Sequence, residues 1–237
     1  MNANPSSLSL LPANAFNAAH AEVYDRQFEP IRAIKDALHL LLRVRFAHLP
    51  PDARILVAGA GTGAEARFLA PIFPGWRFTL ADPAEAMLRV AQRHAEAEGF
   101  ADRCVFHTGF VSTLPKERHH AATSLLVSQF LTHATDRQSY FEDIAARLEP
   151  GGLLFNADLC AEKNDPSFEP LMDLWLALLE HSRVSPESKS GYRAAFGRDF
   201  AAHGPVDVEA MLARAGFTDP AACYQAVLIR GWIASRR

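Results

Sequence analysis

Residues Ile55 to Ala70 read ILVAGAGTGAEARFLA, and this run decides the fold. Ile55 to Ala58 is a short apolar stretch of the kind that makes a strand buried on both faces. Ala64 to Ala70 contains good helix formers and no proline. Between them Gly59, Gly61 and Gly63 can adopt positive φ and leave the backbone bare, so a ligand can lie against the turn with amides pointing at it from a helix N-terminus. The same triplet also suits a merely tight connection, and the surrounding chain has to decide between the two.

Downstream, Arg77 to Ala81 is a second strand ending at Asp82-Pro83, followed by a helix from Ala84 to about Glu98. Arg103 to His107 is a third strand, with a loop from Thr108 to His120 that holds His119 and His120 at the surface. Ala122 to Ser128 is a fourth strand and Tyr140 to Leu148 a helix, stopped by Glu149-Pro-Gly-Gly152 before a fifth strand, Gly152 to Asp158. Strands and helices alternating at this spacing require right-handed crossovers and an open parallel sheet covered on both faces. After a helix from Val206 to Ala215, Ala221 to Gln225 and Val227 to Ser235 are strands with no helix between them, which only antiparallel pairing satisfies. The expected fold is α/β, a doubly wound, mostly parallel seven-stranded sheet with helices on both faces, an antiparallel last strand, and a helical lid and cap.

Upstream, Met1 to Asn14 reads as a loose tail and Ala15 to Phe28 as helical. A stronger helix runs from about Ile31 to Ala47 on an apolar stripe of Ile34, Leu38, Leu41, Leu42 and Val44. The organisation expected is therefore 1–50 tail and lid helices, 51–160 ligand-binding core, 161–205 helical cap insertion, and 206–237 closing helix and strands, all one domain. In the cap, Leu171, Leu174, Trp175, Leu178 and Leu179 share one side of a helix that packs on the body or on a second copy in a homodimer.

The chain has 237 residues, 49% of them hydrophobic, and a net charge of −3 with its cations scattered. That balance disfavours a nucleic-acid or membrane-surface footprint. Cys104, Cys160 and Cys223 lie far apart and read as small buried hydrophobes of a reducing compartment. With no early basic residue before Arg26 and no apolar run long enough to span a bilayer, a cytoplasmic location is expected. No element carries ligands at metal spacing.

In an open α/β sheet the ligand lies beyond the carboxyl ends of the strands. Asp82 sits at that end of the second strand, about 20 residues after the glycines, the spacing at which a carboxylate accepts both hydroxyls of a ribose. It also suits an N-cap of the helix that follows. Gly59-x-Gly61-x-x-Ala64 fits a dinucleotide as well, so an NAD-dependent oxidoreductase is an alternative at this point.

The Leu148 to Leu154 turn into strand five, the Gly109 to Pro115 loop and the closing antiparallel pair, taken in this order with the glycine turn, resemble class I S-adenosylmethionine-dependent methyltransferases. The resemblance covers Ala53 to Asp158 and, in outline, the last thirty residues. It implies a methyltransferase that uses S-adenosylmethionine on a small-molecule acceptor by in-line displacement. Under it, Gly59, Gly61 and Gly63 approach the methionine part of the cofactor and Asp82 binds its ribose. Met87, Phe110 and Val111 flank adenine, with Phe110 stacking where the family often has an Asp. Ser128, Gln129 and Phe130 pass beside the sulfonium. Tyr24 lies on a lid helix and reaches the cofactor carboxylate. His133 is the leading base candidate, with Tyr24 and His20 behind it. Arg183, Arg193 and Arg198 are candidates to hold an anionic group, beside a solvated-surface reading for each. The segment Ser128 to His133 and the ending Leu228 to Ala234 also look faintly like the branch that makes carboxy-S-adenosylmethionine. A non-catalytic binding protein on the same scaffold is a further alternative. One departure stands out: the family has an acid two residues before its first glycine, and here that residue is Val57. Glu65 or Asp25 are the nearby carboxylates that could offset it.

Overall fold

A computed structural model of the chain describes residues 18–27, 29–180, 193–201 and 203–237. The N-terminal tail and Arg183 lie outside the described residues, as does the side chain of His20. The seven strands are β1 (Arg54–Ala58), β2 (Arg77–Asp82), β3 (Cys104–Thr108), β4 (His119–Leu125), β5 (Leu148–Leu159), β6 (Phe217–Ala226) and β7 (Ile229–Arg236). They form one sheet in the order β3-β2-β1-β4-β5-β7-β6. The first five are parallel, and β7 runs antiparallel to both of its neighbours, β5 and β6. An antiparallel β7 between β5 and β6 separates this sheet from the dinucleotide-binding order 3-2-1-4-5-6.

The described helices are α1 (Ala18–Gln27), α2 (Arg32–Phe46), α3 (Ala64–Leu69), α4 (Glu85–Ala97), α5 (Ala134–Ala146), α6 (Phe168–Glu180) and α7 (Pro205–Arg214). The period-two alternation of a strand divides the core between the two faces of the sheet. Ile55 and Val57 pack with Leu38, Leu42 and Phe46 of α2, Leu88 of α4 and Trp175 of α6. Leu56 and Ala58 pack with Phe141 of α5, Val208 and Leu212 of α7, and Trp232. Both faces of β1 are thereby covered. None of the described helices is long and apolar enough to cross a membrane.

Several local expectations need correction. The fourth strand is His119–Leu125, not Ala122 to Ser128. Its end is set by Leu126, whose φ of +61° turns the chain out of the strand. His119 is in the sheet and 3% exposed, its ring bonded to the Arg147 carbonyl and to Thr79 Oγ1. Helix α5 begins at Ala134, six residues before the expected start. Val44 of α2 and Leu174 of α6 are exposed, whereas Leu38, Leu42, Trp175 and Leu179 of the same stripes are buried and Ile34, Leu41, Leu171 and Leu178 half-buried.

Candidate active site

The turn after β1 is held by its own backbone. Gly59 and Ala60 donate to the Ala81 carbonyl at 2.8 and 3.0 Å, which ties the turn to the end of β2. Gly59 has φ of +71°, and a Cβ there would meet the Val127 side chain at 2.4 Å, so the segment following β4 leaves room for glycine alone. Gly61 also has positive φ, and a Cβ on it would meet only Met87 Cε, at 3.6 Å. The space in front of Gly61 is therefore open because the residue has no side chain.

That space belongs to an open cleft at the carboxyl end of β1. Its walls are Gly59 to Thr62, Glu65 of α3, Lys35, Leu38 and His39 of α2, Tyr24 of α1, and Leu125 and Leu126 after β4. Leu126 is a bulky residue in the left-handed region, a conformation that costs energy and persists where the surroundings enforce it. Its N–H bonds the Ala157 carbonyl at 2.6 Å.

Asp82 ends β2 directly behind the turn. One carboxylate oxygen accepts the Gly61 N–H and the other the Ala84 N–H, both at 2.8 Å. The N-cap of α4 is Ala84, so Asp82 is not the helix cap the sequence suggested; it orders the glycine turn and the approach to α4 from two residues upstream, and its remaining lone pairs stay available to hydroxyl donors. Burial pushes its pKa up, against the pull of those two N–H groups.

Helix α1 covers the rim. Ala21 and Tyr24 pack with Met87 and Val90 of α4, Glu22 pairs with Arg93 at 2.5 Å, and Asp25 accepts from Thr62 Oγ1 at 2.7 Å. The Tyr24 phenol is pushed well above its ordinary range, first by burial and then by Glu65, Asp25 and Asp82. In this site it is a neutral O–H.

The other expected residues lie as follows. Met87 is 3% exposed under α1. Phe110 is half-buried beside Gly109, whose N–H bonds the Asp82 carbonyl at 3.0 Å. Val111 is buried in the core with Ala81 and Leu114. His133 is exposed, preceding the first turn of α5, and is not among the residues lining the cleft. Arg193 pairs with Glu169 and Asp173 of α6, and Arg198 with Asp199.

Ser128 and Gln129 are engaged in a buried network. Ser128 donates to Asp158 Oδ2 at 2.6 Å, and the Gln129 N–H donates to Oδ1 at 3.1 Å. Arg137 of α5 faces Asp158 at 3.1 Å, both side chains fully buried, and donates from Nε to Ser128 Oγ at 2.8 Å. Asn156 donates to Asp158 at 2.9 Å, and His203 lies 3.1 Å from Arg137 Nη1. Sequence reading missed Arg137, Asn156 and His203 and saw Asp158 only as a strand end. A charged residue at the end of the apolar run of β5 was the available signal.

A glycine turn, an acid at the end of the second strand and a doubly wound sheet define a fold of the Rossmann-like class. Residues 55–152 match the family model described as a methyltransferase domain. Over 122 residues the chain is 37% identical to a ubiquinone biosynthesis O-methyltransferase of Methylocella silvestris, covering 50% of this chain and 45% of that protein. The chain thus spans less than half the length of that relative. A solved structure of a candidate O-methyltransferase from Nostoc punctiforme superposes with a TM-score of 0.67 at 14% identity, over 92% of this chain and 59% of that one. An O-methyltransferase family 2 protein from Planctomyces limnophilus, in complex with apigenin, gives 0.59 at 16% identity, over 88% and 62%. Residues 55–152 thus match a methyltransferase domain, and the sheet, with its antiparallel β7, has the fold of these solved structures.

Proposed function

We propose that this protein transfers a methyl group from S-adenosylmethionine to a small-molecule acceptor. The observation that carries the reading is the cleft in front of Gly61, with Asp82 behind the turn and Tyr24 over it. The residues suit the group: glycines leave room for its methionine part, and Asp82 keeps lone pairs for a ribose diol. Met87 and Phe110 offer apolar surface on the adenine side, and Val111 supports that loop from the core.

When bound, the cofactor supplies an activated methyl group on a sulfonium, so little covalent chemistry falls to the protein. The task of the chain is to hold two reactants in line and keep water away. Ser128, Gln129 and Phe130 follow β4; the first two are buried and fixed by Asp158 and Arg137, and Phe130 packs on Phe200 at 5.6 Å. That aromatic pair supports an apolar or aromatic acceptor, as does the apigenin bound by the Planctomyces protein. Of the three base candidates, Tyr24 lines the cleft but holds its proton tightly, His133 stands outside it, and the side chain of His20 lies outside the described residues. Positioned displacement without an obligatory protein base is the mechanism this arrangement favours. Calorimetric titration with S-adenosylmethionine and S-adenosylhomocysteine tests the reading, and absence of heat with both rejects it.

A further inference from the structure

The amino-acid end of S-adenosylmethionine is a zwitterion, so the cleft that takes it must answer an ammonium and a carboxylate. The β1 position that carries an acid in the family cannot do so here. Val57 is 1% exposed, paired with Leu80 and Thr123, and packed in the larger core.

Two oppositely charged side chains line the cleft from its other walls, Glu65 on α3 and Lys35 on α2. Glu65 is 7% exposed, and among the described residues no other side chain or backbone group donates to its carboxylate and no cation lies within ion-pair distance. A buried carboxylate held only by its own backbone N–H and by the more distant charge of Lys35 is costly, and a ligand cation would complete it. Lys35 likewise forms no ion pair among the described residues, and its ammonium stands 6.0 Å from the centroid of the Tyr24 ring. The rival acid is already engaged: Asp25 accepts from Thr62 at 2.7 Å, faces Arg67 at 3.8 Å, and lines an outer groove with Glu29, Arg32 and Glu98.

We propose that Glu65 receives the ammonium of the cofactor in place of the absent strand acid, and that Lys35 receives its carboxylate. The recognition charge has moved from β1 to the first turn of α3. This assignment rests on reading the cleft as an S-adenosylmethionine site. It also makes cofactor affinity pH-dependent, because burial pushes the ligand-free Glu65 up to about 7. The groups facing it are Lys35 and His39 of α2, Tyr24 and Asp25 of α1, Asp82 of β2 and Tyr140 of α5.

The test uses the whole chain and two probes that differ only in the amino-acid end, S-adenosylhomocysteine and 5′-methylthioadenosine. By calorimetry, Glu65→Gln and Lys35→Met each weaken S-adenosylhomocysteine by about 10- to 100-fold and leave 5′-methylthioadenosine within about twofold. Asp82→Ala weakens both. For the unmutated protein, S-adenosylhomocysteine affinity falls as pH drops from about 8 to about 6, as Glu65 takes up its proton, and 5′-methylthioadenosine affinity stays flat. That arm needs no variant and stands even if one fails to fold. Glu65→Gln binding S-adenosylhomocysteine like the parent, or losing both probes equally, overturns the assignment. If the parent protein binds neither probe, the cofactor reading itself falls and takes the assignment with it.

Discussion

Asp82→Asn and Asp82→Ala separate the two roles that meet in one carboxylate. In the ligand-free protein Asp82 satisfies two backbone donors, Gly61 and Ala84, each at 2.8 Å. Alanine strands both. At about 1–2 kcal/mol for each N–H that loses a charged acceptor, discounted because water can reach the rim, the folding cost is about 2–4 kcal/mol. Asparagine has nearly the same shape but only one acceptor, so it can serve Gly61 or Ala84 and must turn its NH₂ toward the other. Its folding cost is expected to be about half that of alanine. The ribose role adds a separate loss that appears only with ligand. Two hydroxyl donors lose a charged acceptor, worth about 1.5–3 kcal/mol or roughly 10- to 150-fold in the Kd for S-adenosylhomocysteine. Urea unfolding followed by circular dichroism reads the first quantity, and calorimetry well below the melting temperature reads the second. If Asp82→Ala is destabilised but binds S-adenosylhomocysteine with the parent Kd, the acid is a structural tie of the turn and the ribose assignment is wrong.

Two further outcomes follow from buried charges. Glu65 has a folded pKa of about 7, against an ordinary value of 4.5 in the unfolded chain. The native state therefore binds the extra proton between those values, and ionising Glu65 at higher pH costs stability. Glu65→Gln is expected to stabilise the ligand-free protein by about 2–3 kcal/mol at pH near 8 and by little near 4.5, as read by urea melts at both. Equal stability of the two proteins near pH 8 refutes that reasoning. Arg137 and Asp158, 3.1 Å apart and fully buried, are predicted to behave as a unit. Asp158→Leu, which leaves a guanidinium without a counter-charge, should cost about 3–5 kcal/mol. Arg137→Met should cost less, because Ser128, Gln129 and Asn156 still donate to the carboxylate. The double variant should be milder than the sum by at least about 1 kcal/mol, and simple additivity in a double-mutant cycle would show that the two charges are not coupled.

What the sequence discloses and what it withholds divide along a physical line. The alternation of apolar strands with helices, the glycine turn and the short link between the last two strands are local patterns, and they produce the seven-stranded sheet with its antiparallel β7. The end of β4 is not local. Ser124 to Val127 reads as a continuing apolar strand, but Leu126 is bent to φ of +61° by its place between the Ala157 carbonyl and the glycine turn. His119 looks like a loop residue because its partners, Thr79 and Arg147, lie 40 and 28 residues away. The start of α5 is hidden for the same reason: Thr135 to Ser139 is polar, and Arg137 is buried only because Asp158 and Ser128 wait for it across the sheet. The site follows the same rule. That Val57 is not an acid can be read from the chain, since it is one residue in a fixed register with the glycines. That Glu65 faces the turn cannot, because α3 is only six residues long and its inward face is chosen by α2 and α1 closing over it. A charge lost from the strand and regained on the helix is eight positions away in sequence and one cleft wall away in space. A pattern anchored on the glycines sees only the loss.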